Sequence, residues 1–306
     1  MDESLPAGAG GSTAHADSPA DRSTGDPATV DLDGRTLAYA EYGDPEGTPV
    51  FAFHGVLGSR LTWALCDGVA RESGIRVVAP ERPGFGHSAF QPRRRLLDWP
   101  GDVAALADRL GVDRFGVVGF SAGGPHAAAC AHAVPDRLRG VALASAVAPP
   151  GTYDRADPFN RALLSATRFV PGFSQLAFGV GAWSARYARP QFRRSIVATA
   201  GGPDRDLFDE PAGDHLLADA AEAFRQGGRG PARDLPLVGN DWGFDVRDID
   251  RHVSLFHGRA DETVTPGLAR AFADRLPDCD LRLSEEAHYS TYVRNREAIL
   301  RAAAGQ

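Results

Sequence analysis

A serine hydroxyl attacks a carbonyl at neutral pH only when a base takes its proton and an acid orients that base. This chain offers those three parts in the order Ser121, Asp261, His288. Ser121 lies in Gly119-Phe120-Ser121-Ala122-Gly123, after the apolar run Phe115-Gly116-Val117-Val118 and before an alanine-rich segment of helical character. A serine at such a sharp strand-to-helix turn is forced into strained backbone, and small neighbours let strand and helix approach closely, so the spacing predicts a nucleophile elbow. The turn lifts the hydroxyl above the sheet and aims the Ala122 N–H, at the positive end of the following helix, at the place where an oxyanion forms.

The acid is expected in His257-Gly258-Arg259-Ala260-Asp261, a loop after the strand-like Val253-Ser254-Leu255-Phe256, and the base in Ala287-His288 after a last short strand. Glu262 is the nearest substitute acid, and Glu285 and Glu286 lie close to His288, so spacing leaves all three open. Of the other histidines, His15 falls in the tail, His126 and His132 in the helix after the elbow, His215 in a helical insertion, and His252 and His257 beside a strand; structural roles are expected for them. His87 either lies near the pocket mouth or serves its own loop. A second oxyanion donor is expected from His54-Gly55-Val56-Leu57-Gly58, with Val56 supplying the N–H and Gly55 the turn. His54 either holds this loop by hydrogen bonding or touches substrate directly, and His54, Gly55, Phe120 and Trp242 form the candidate substrate-binding set.

Positioning these groups takes a framework, and the apolar periodicity supplies one. Thr29–Leu32 and Thr36–Tyr42 read as strands joined by a type I′ turn at Asp33-Gly34. Pro49–Phe53, Ile75–Ala79, Phe115–Val118, Leu138–Val147, Val253–Phe256 and Leu281–Leu283 read as further strands. They alternate with helical stretches at Leu61–Ser73, Leu96–Leu110, Gly267–Leu276 and Arg294–Ala303. That alternation predicts an α/β fold with a mostly parallel doubly wound sheet, ligands sitting at the carboxyl ends of its strands. Between 149 and 249 the strand rhythm stops, and helix-like pieces break at Pro171-Gly172, Gly201-Gly202-Pro203, Gly227-Gly228 and Gly239, so a helical cap is expected there. Its aromatics, among them Phe159, Phe169, Phe178, Trp183, Tyr187, Phe192 and Phe224, are expected to build a cap core and line a pocket. Residues 1–27, rich in Gly, Ala, Ser, Asp and Pro, are expected to form a disordered tail; 28–148 and 250–306 then make the core.

Composition narrows the chemistry further. A chain of 306 residues with 43% hydrophobic side chains and a formal charge of −7 builds a full core and lacks a basic footprint for nucleic acid. All of its basic residues are arginine; with no lysine, Schiff-base and lysine-base mechanisms are excluded. The three cysteines, Cys66, Cys130 and Cys279, show neither disulfide nor zinc spacing. No stretch approaches the ~20 apolar residues of a membrane span. A soluble cytoplasmic protein is expected, without metal or cofactor, whose partner is a small-molecule substrate.

Together these motifs resemble the α/β-hydrolase fold superfamily over roughly residues 30 to 304. His54-Gly55 after a strand, Pro80-Glu81-Arg82-Pro83-Gly84-Phe85-Gly86-His87-Ser88, the elbow, His257-Gly258-Arg259-Ala260-Asp261 and the late His288 carry the resemblance. The family's usual aspartate before Arg-Pro-Gly is Glu81 here, and its frequent Gly-His is Ala287-His288. Trp242-Gly243-Phe244-Asp245 is similar to a stretch of capped hydrolases without known substrates. The resemblance implies a cofactor-independent serine hydrolase acting on a small or medium carboxylic ester. Lactone, thioester, amide or carbon–carbon bond cleavage, a perhydrolase, and a non-catalytic ligand-binding member share the framework. Members with an aspartate nucleophile, such as epoxide hydrolases, are disfavoured by the serine at 121.

Overall fold

The computed structural model describes residues 27–152 and 172–306. Most of the expected tail, and 153–171 of the expected cap with Phe159 and Phe169, lie outside that range. Eight strands form one sheet: β1 (Ala28–Leu32), β2 (Arg35–Gly43), β3 (Thr48–Phe53), β4 (Ile75–Pro80), β5 (Phe115–Phe120), β6 (Leu138–Ala144), β7 (Val253–Gly258) and β8 (Cys279–Ser284). Their order is β1-β2-β4-β3-β5-β6-β7-β8, antiparallel at β1-β2-β4 and parallel from β4 onward. The opening hairpin turns at Asp33 and Gly34, with φ of 53° and 79°, as a type I′ turn requires.

Helices α1 (Asp67–Glu72), α2 (Trp99–Arg109), α3 (Gly123–Ala133), α9 (Pro266–Ala273), α10 (His288–Arg294) and α11 (Arg296–Ala304) flank the sheet. Side chains alternate across each strand. Phe51, Phe53 and Val117 therefore face one cluster with Trp99, Val103, Leu106 and Phe272, while Val50, Ala52 and Val118 face another with Trp63, Tyr292, Ile299 and Leu300. Between β6 and β7 run α4 (Phe173–Tyr187), α5 (Arg189–Val197), α6 (Gly202–Phe208), α7 (Pro211–Ala223) and α8 (Arg229–Gly239). Several begin with proline in the first turn, where the missing N–H costs nothing. Phe192, Ile196, Leu207, Phe208 and Phe224 of this insertion join the second cluster. At roughly 3–5 kcal/mol for truncating a buried Phe, these contacts bind the insertion to the core.

Three expected elements differ in detail. The helix expected over Leu61–Ser73 begins as a 3₁₀ segment, Arg60–Cys66, and turns α-helical only at Asp67, because Ser59 and Thr62 are drawn onto Asp219 of the insertion. The strand expected to reach Val147 stops at Ala144, since Ser145 turns with φ 46°. The helix expected over Arg294–Ala303 forms as Arg296–Ala304 and is preceded by a separate short helix that starts at His288.

The reversal of strand order decides where a site forms. β4 and β5 lie on opposite sides of β3, and the register pairs Phe53 with Gly119. The loop after β3 and the turn after β5 thus open side by side at a topological switch point.

Candidate active site

Ser121 sits in the turn from β5 to α3 with φ 53°, a conformation that L residues rarely hold without reinforcement. The reinforcement is visible. Its N–H donates to Ala144 O at 2.9 Å, and its carbonyl accepts from Gly124 N at 3.0 Å and Val147 N at 3.1 Å. A Cβ on Gly119 would collide with the backbone of Gly123, and one on Gly123 with the carbonyl of Phe53. Glycine is therefore required at both positions by contact distance alone.

His288 Nε2 lies 3.0 Å from Ser121 Oγ, and His288 Nδ1 lies 2.8 Å from Asp261 Oδ2. A carboxylate only accepts, so Nδ1 carries the hydrogen and Nε2 offers its lone pair to the serine hydroxyl. Asp261 is fixed in turn: its Oδ1 accepts from Thr263 N at 2.9 Å and Val264 N at 2.8 Å. His257 donates from Nε2 to Val264 O at 2.7 Å, bracing the same loop, and burial lowers the pKa of its imidazole. Of the alternative acids, Glu285 pairs with Arg259 at the surface and Glu262 is exposed; geometry joins Asp261 to His288.

Burial pulls the His288 pKa down, but the charge and hydrogen bond of Asp261 and the charge of Asp204 outweigh it, leaving it above the ordinary histidine value. Phe120 and Tyr289 pack on the ring at centroid distances of 5.2 and 5.4 Å. Phe120 therefore lies beside the three groups.

The loop after β3 borders the elbow. A Cβ on Gly55 would stand 3.4 Å from both the Phe120 ring and Ser121 Cβ. Among the described residues no acceptor takes the N–H of Val56 or of Ala122. His54 is placed differently from a substrate contact: it is fully buried, its Nδ1 donates to Gly55 O at 2.8 Å, and its Nε2 accepts from Arg82 N at 3.2 Å. Both ring nitrogens are engaged, so His54 holds the loop and leaves the substrate-binding set. Trp242 leaves it too. Its Nε1 donates to Val238 O at 2.9 Å, and its ring packs on Phe244 and Phe272 in the first cluster, on the face of the sheet opposite Phe120 and Tyr292.

Four residues around the site carried no readable signal. Asp204, in the first turn of α6, accepts from the N–H groups of His288 (3.1 Å), Tyr289 (3.1 Å) and Ser290 (2.8 Å). It looks in sequence like a dipole-favouring acid for its own helix, and nothing in its spacing shows that it caps another. Ser145 donates to His288 O at 2.9 Å. Asp219 of α7 accepts from Ser59 N (2.7 Å), Ser59 Oγ (2.6 Å) and Thr62 Oγ1 (2.5 Å); burial, only partly offset by these bonds, pushes its carboxyl up to about 7. Asp234 of α8 meets Arg82 at 2.8 Å and Arg94 at 2.7 Å. Burial alone would raise its pKa, yet the two guanidinium groups hold it far below the usual carboxylate range. Arg82 also donates to His54 O (2.5 Å) and Gly55 O (3.0 Å), so the ion pair grips the loop after β3.

Among the described residues no group of three or more His, Cys, Asp or Glu is arranged to hold a metal ion, and no helix is long and apolar enough to cross a membrane. A family profile described as the alpha/beta hydrolase fold matches residues 48–293. An uncharacterised hydrolase of Bacillus subtilis is 32% identical over 120 residues, 39% of this chain and 41% of that one, so the chain spans less than half of this relative's length. Two solved structures share the fold at 20% identity. A bromoperoxidase from Bacillus anthracis has a TM-score of 0.69, covering 89% of this chain and 96% of its own. An enol-lactonase from Burkholderia xenovorans LB400 has a TM-score of 0.67, with coverages of 90% and 97%.

Proposed function

Because this chain belongs to the α/β-hydrolase fold family, we propose that it is a serine hydrolase cleaving small or medium carboxylic esters through a covalent acyl-enzyme. One observation carries the reading: an unbroken hydrogen-bonded line from Ser121 Oγ through His288 to Asp261, 3.0 and 2.8 Å long, at the carboxyl end of a parallel strand. His288 Nε2 takes the hydroxyl proton as Ser121 Oγ attacks the ester carbonyl. Negative charge develops on the carbonyl oxygen, where the N–H groups of Val56 and Ala122 receive it. The imidazolium, steadied by Asp261, passes its proton to the departing alkoxide, which leaves as the alcohol. Water, deprotonated by the same nitrogen, then attacks the acyl carbonyl and releases acid and free Ser121.

Residues 149–249 act in this reading as a cap, with Phe120 beside the acyl group. Substituting Ser121→Ala should lower turnover of p-nitrophenyl esters by ~10³-fold or more while leaving the fold intact, and a fluorophosphonate should label the wild type at Ser121 alone. Retained activity in the alanine variant would remove the assignment. Running acyl chains of increasing length beside lactone and thioester substrates reads the leaving group; preference for a lactone would keep the residues and change the substrate.

A further inference from the structure

We propose that Asp204, contributed by the insertion, is a positioning residue for His288, holding its backbone in register with Ser121 and bringing a second carboxylate up against that residue. The proposal rests on the catalytic reading of His288. Its basis is geometric. α10 begins at His288 itself, so the first N–H groups of that helix have no partner within it, and a single buried carboxylate from α6 takes three of them at 2.8–3.1 Å. One turn further along α6, the Phe208 ring packs against Tyr289 at 5.5 Å, so the two helices are joined by an apolar contact as well. From the core side Ser145 Oγ donates to His288 O. The residue bearing the base is thus gripped by its N–H from the insertion and by its carbonyl from the sheet.

Asp204 also bears on proton affinity. The ionisable groups around the imidazole are Asp261 on the acid loop, His257 on β7, Tyr289 on α10 and Asp204 on α6. His257 is buried with its pKa lowered, so it adds no cation, and burial raises that of the Tyr289 phenol, so it stays neutral. Asp261 and Asp204 remain as the two negative charges that favour the imidazolium. Removing the second makes protonation harder, and the neutral base then survives to lower pH.

The test compares Asp204→Asn and Asp204→Ala with wild type in the full chain, measuring kcat and KM for a p-nitrophenyl ester from pH 5 to 9. Asparagine keeps an acceptor oxygen and loses the charge: the acid limb of kcat/KM should move down by roughly half to one pH unit, with the plateau changed less than about threefold. Alanine loses both: plateau kcat should fall about tenfold or more, with KM within twofold, and Asp204→Asn should restore most of it. A residue that merely stabilised the fold would lower activity at every pH and leave the acid limb in place. If the alanine variant does not fold, the nearly isosteric asparagine variant still decides. An activity-free arm titrates the His288 imidazole by NMR in Ser121→Ala and in Ser121→Ala/Asp204→Asn. Its midpoint should fall in the double variant even if the ester-hydrolase reading fails. An unmoved acid limb together with an unmoved imidazole midpoint overturns the proposal.

Discussion

The loops at the strand ends and the helices of the insertion both furnish buried carboxylates to this site, yet they use them in opposite ways. Asp261, at the end of β7, touches the imidazole that faces Ser121. Asp204, Asp219 and Asp234, from three successive insertion helices, touch no proposed reacting group; each holds a different piece of core backbone or its support: the start of α10, the segment at Ser59 and Thr62, and Arg82 under the loop after β3. In the proposed reading the core supplies chemistry and the insertion supplies registration. The three insertion carboxylates also differ in what neutralises them. Asp234 faces two guanidinium groups, whereas the donors that Asp219 meets among the described residues are neutral, which is why their proton affinities move in opposite directions.

That division can be broken most forcefully at Asp234. Replacing it with alanine leaves Arg82 fully buried and without its counter-charge, which should cost about 3–5 kcal/mol in urea unfolding and depress turnover by loosening the carbonyls of His54 and Gly55. A loss below about 1 kcal/mol would mean that the pair is not what fixes the loop. A change of comparable total size, spread over about three pH units, is expected at Asp219. Burial pushes its folded carboxyl up to about 7 against about 3.9 when unfolded, so the folded state binds the proton more tightly. Its contribution to stability is then full below pH 4 and is lost as pH rises towards 7, by up to ~1.4 kcal/mol per unit. In Asp219→Asn that component of the slope should vanish, and wild-type and variant stability curves running parallel from pH 4 to 8 would refute the assignment. The smallest change should come from the outer face of α4, where Trp183 is 60% exposed: Trp183→Gln should alter unfolding free energy by no more than about 0.5 kcal/mol. A larger loss would show that this face is covered in solution.

The same contrast explains what was legible in the sequence. The hydroxyl, carboxylate and imidazole that meet at Ser121, Asp261 and His288 could be named because attack on a carbonyl demands particular residue types at strand ends, and strands announce themselves by apolar runs and glycine. The α/β alternation was readable for the same reason. Asp204 and Asp219 look, by periodicity, like ordinary acids of amphipathic helices; their burial arises only when the insertion closes on loops far away in sequence, and no local pattern encodes that meeting. Trp242 was misread because aromatic content was equated with proximity to the pocket, while the chain carries it to the far side of the sheet, where its indole N–H finds Val238 O. The two roles open to His54 are separated only by the folded chain, which buries the ring and engages both of its nitrogens. Ser145, a small polar residue within Leu143-Ala144-Ser145-Ala146-Val147, shows neither its left-handed turn nor its bond to His288 in any periodicity.

The grip of Arg82 on the His54 and Gly55 carbonyls bears on modularity. An excised version, with β6 spliced by a short linker to β7, would retain every reacting side chain and still strand a guanidinium in the protein interior with no anion to meet it. Minimisation of this scaffold, or exchange of its insertion for one taken from another member of the family, would have to transplant an acidic side chain into that socket or retire the arginine at the same time.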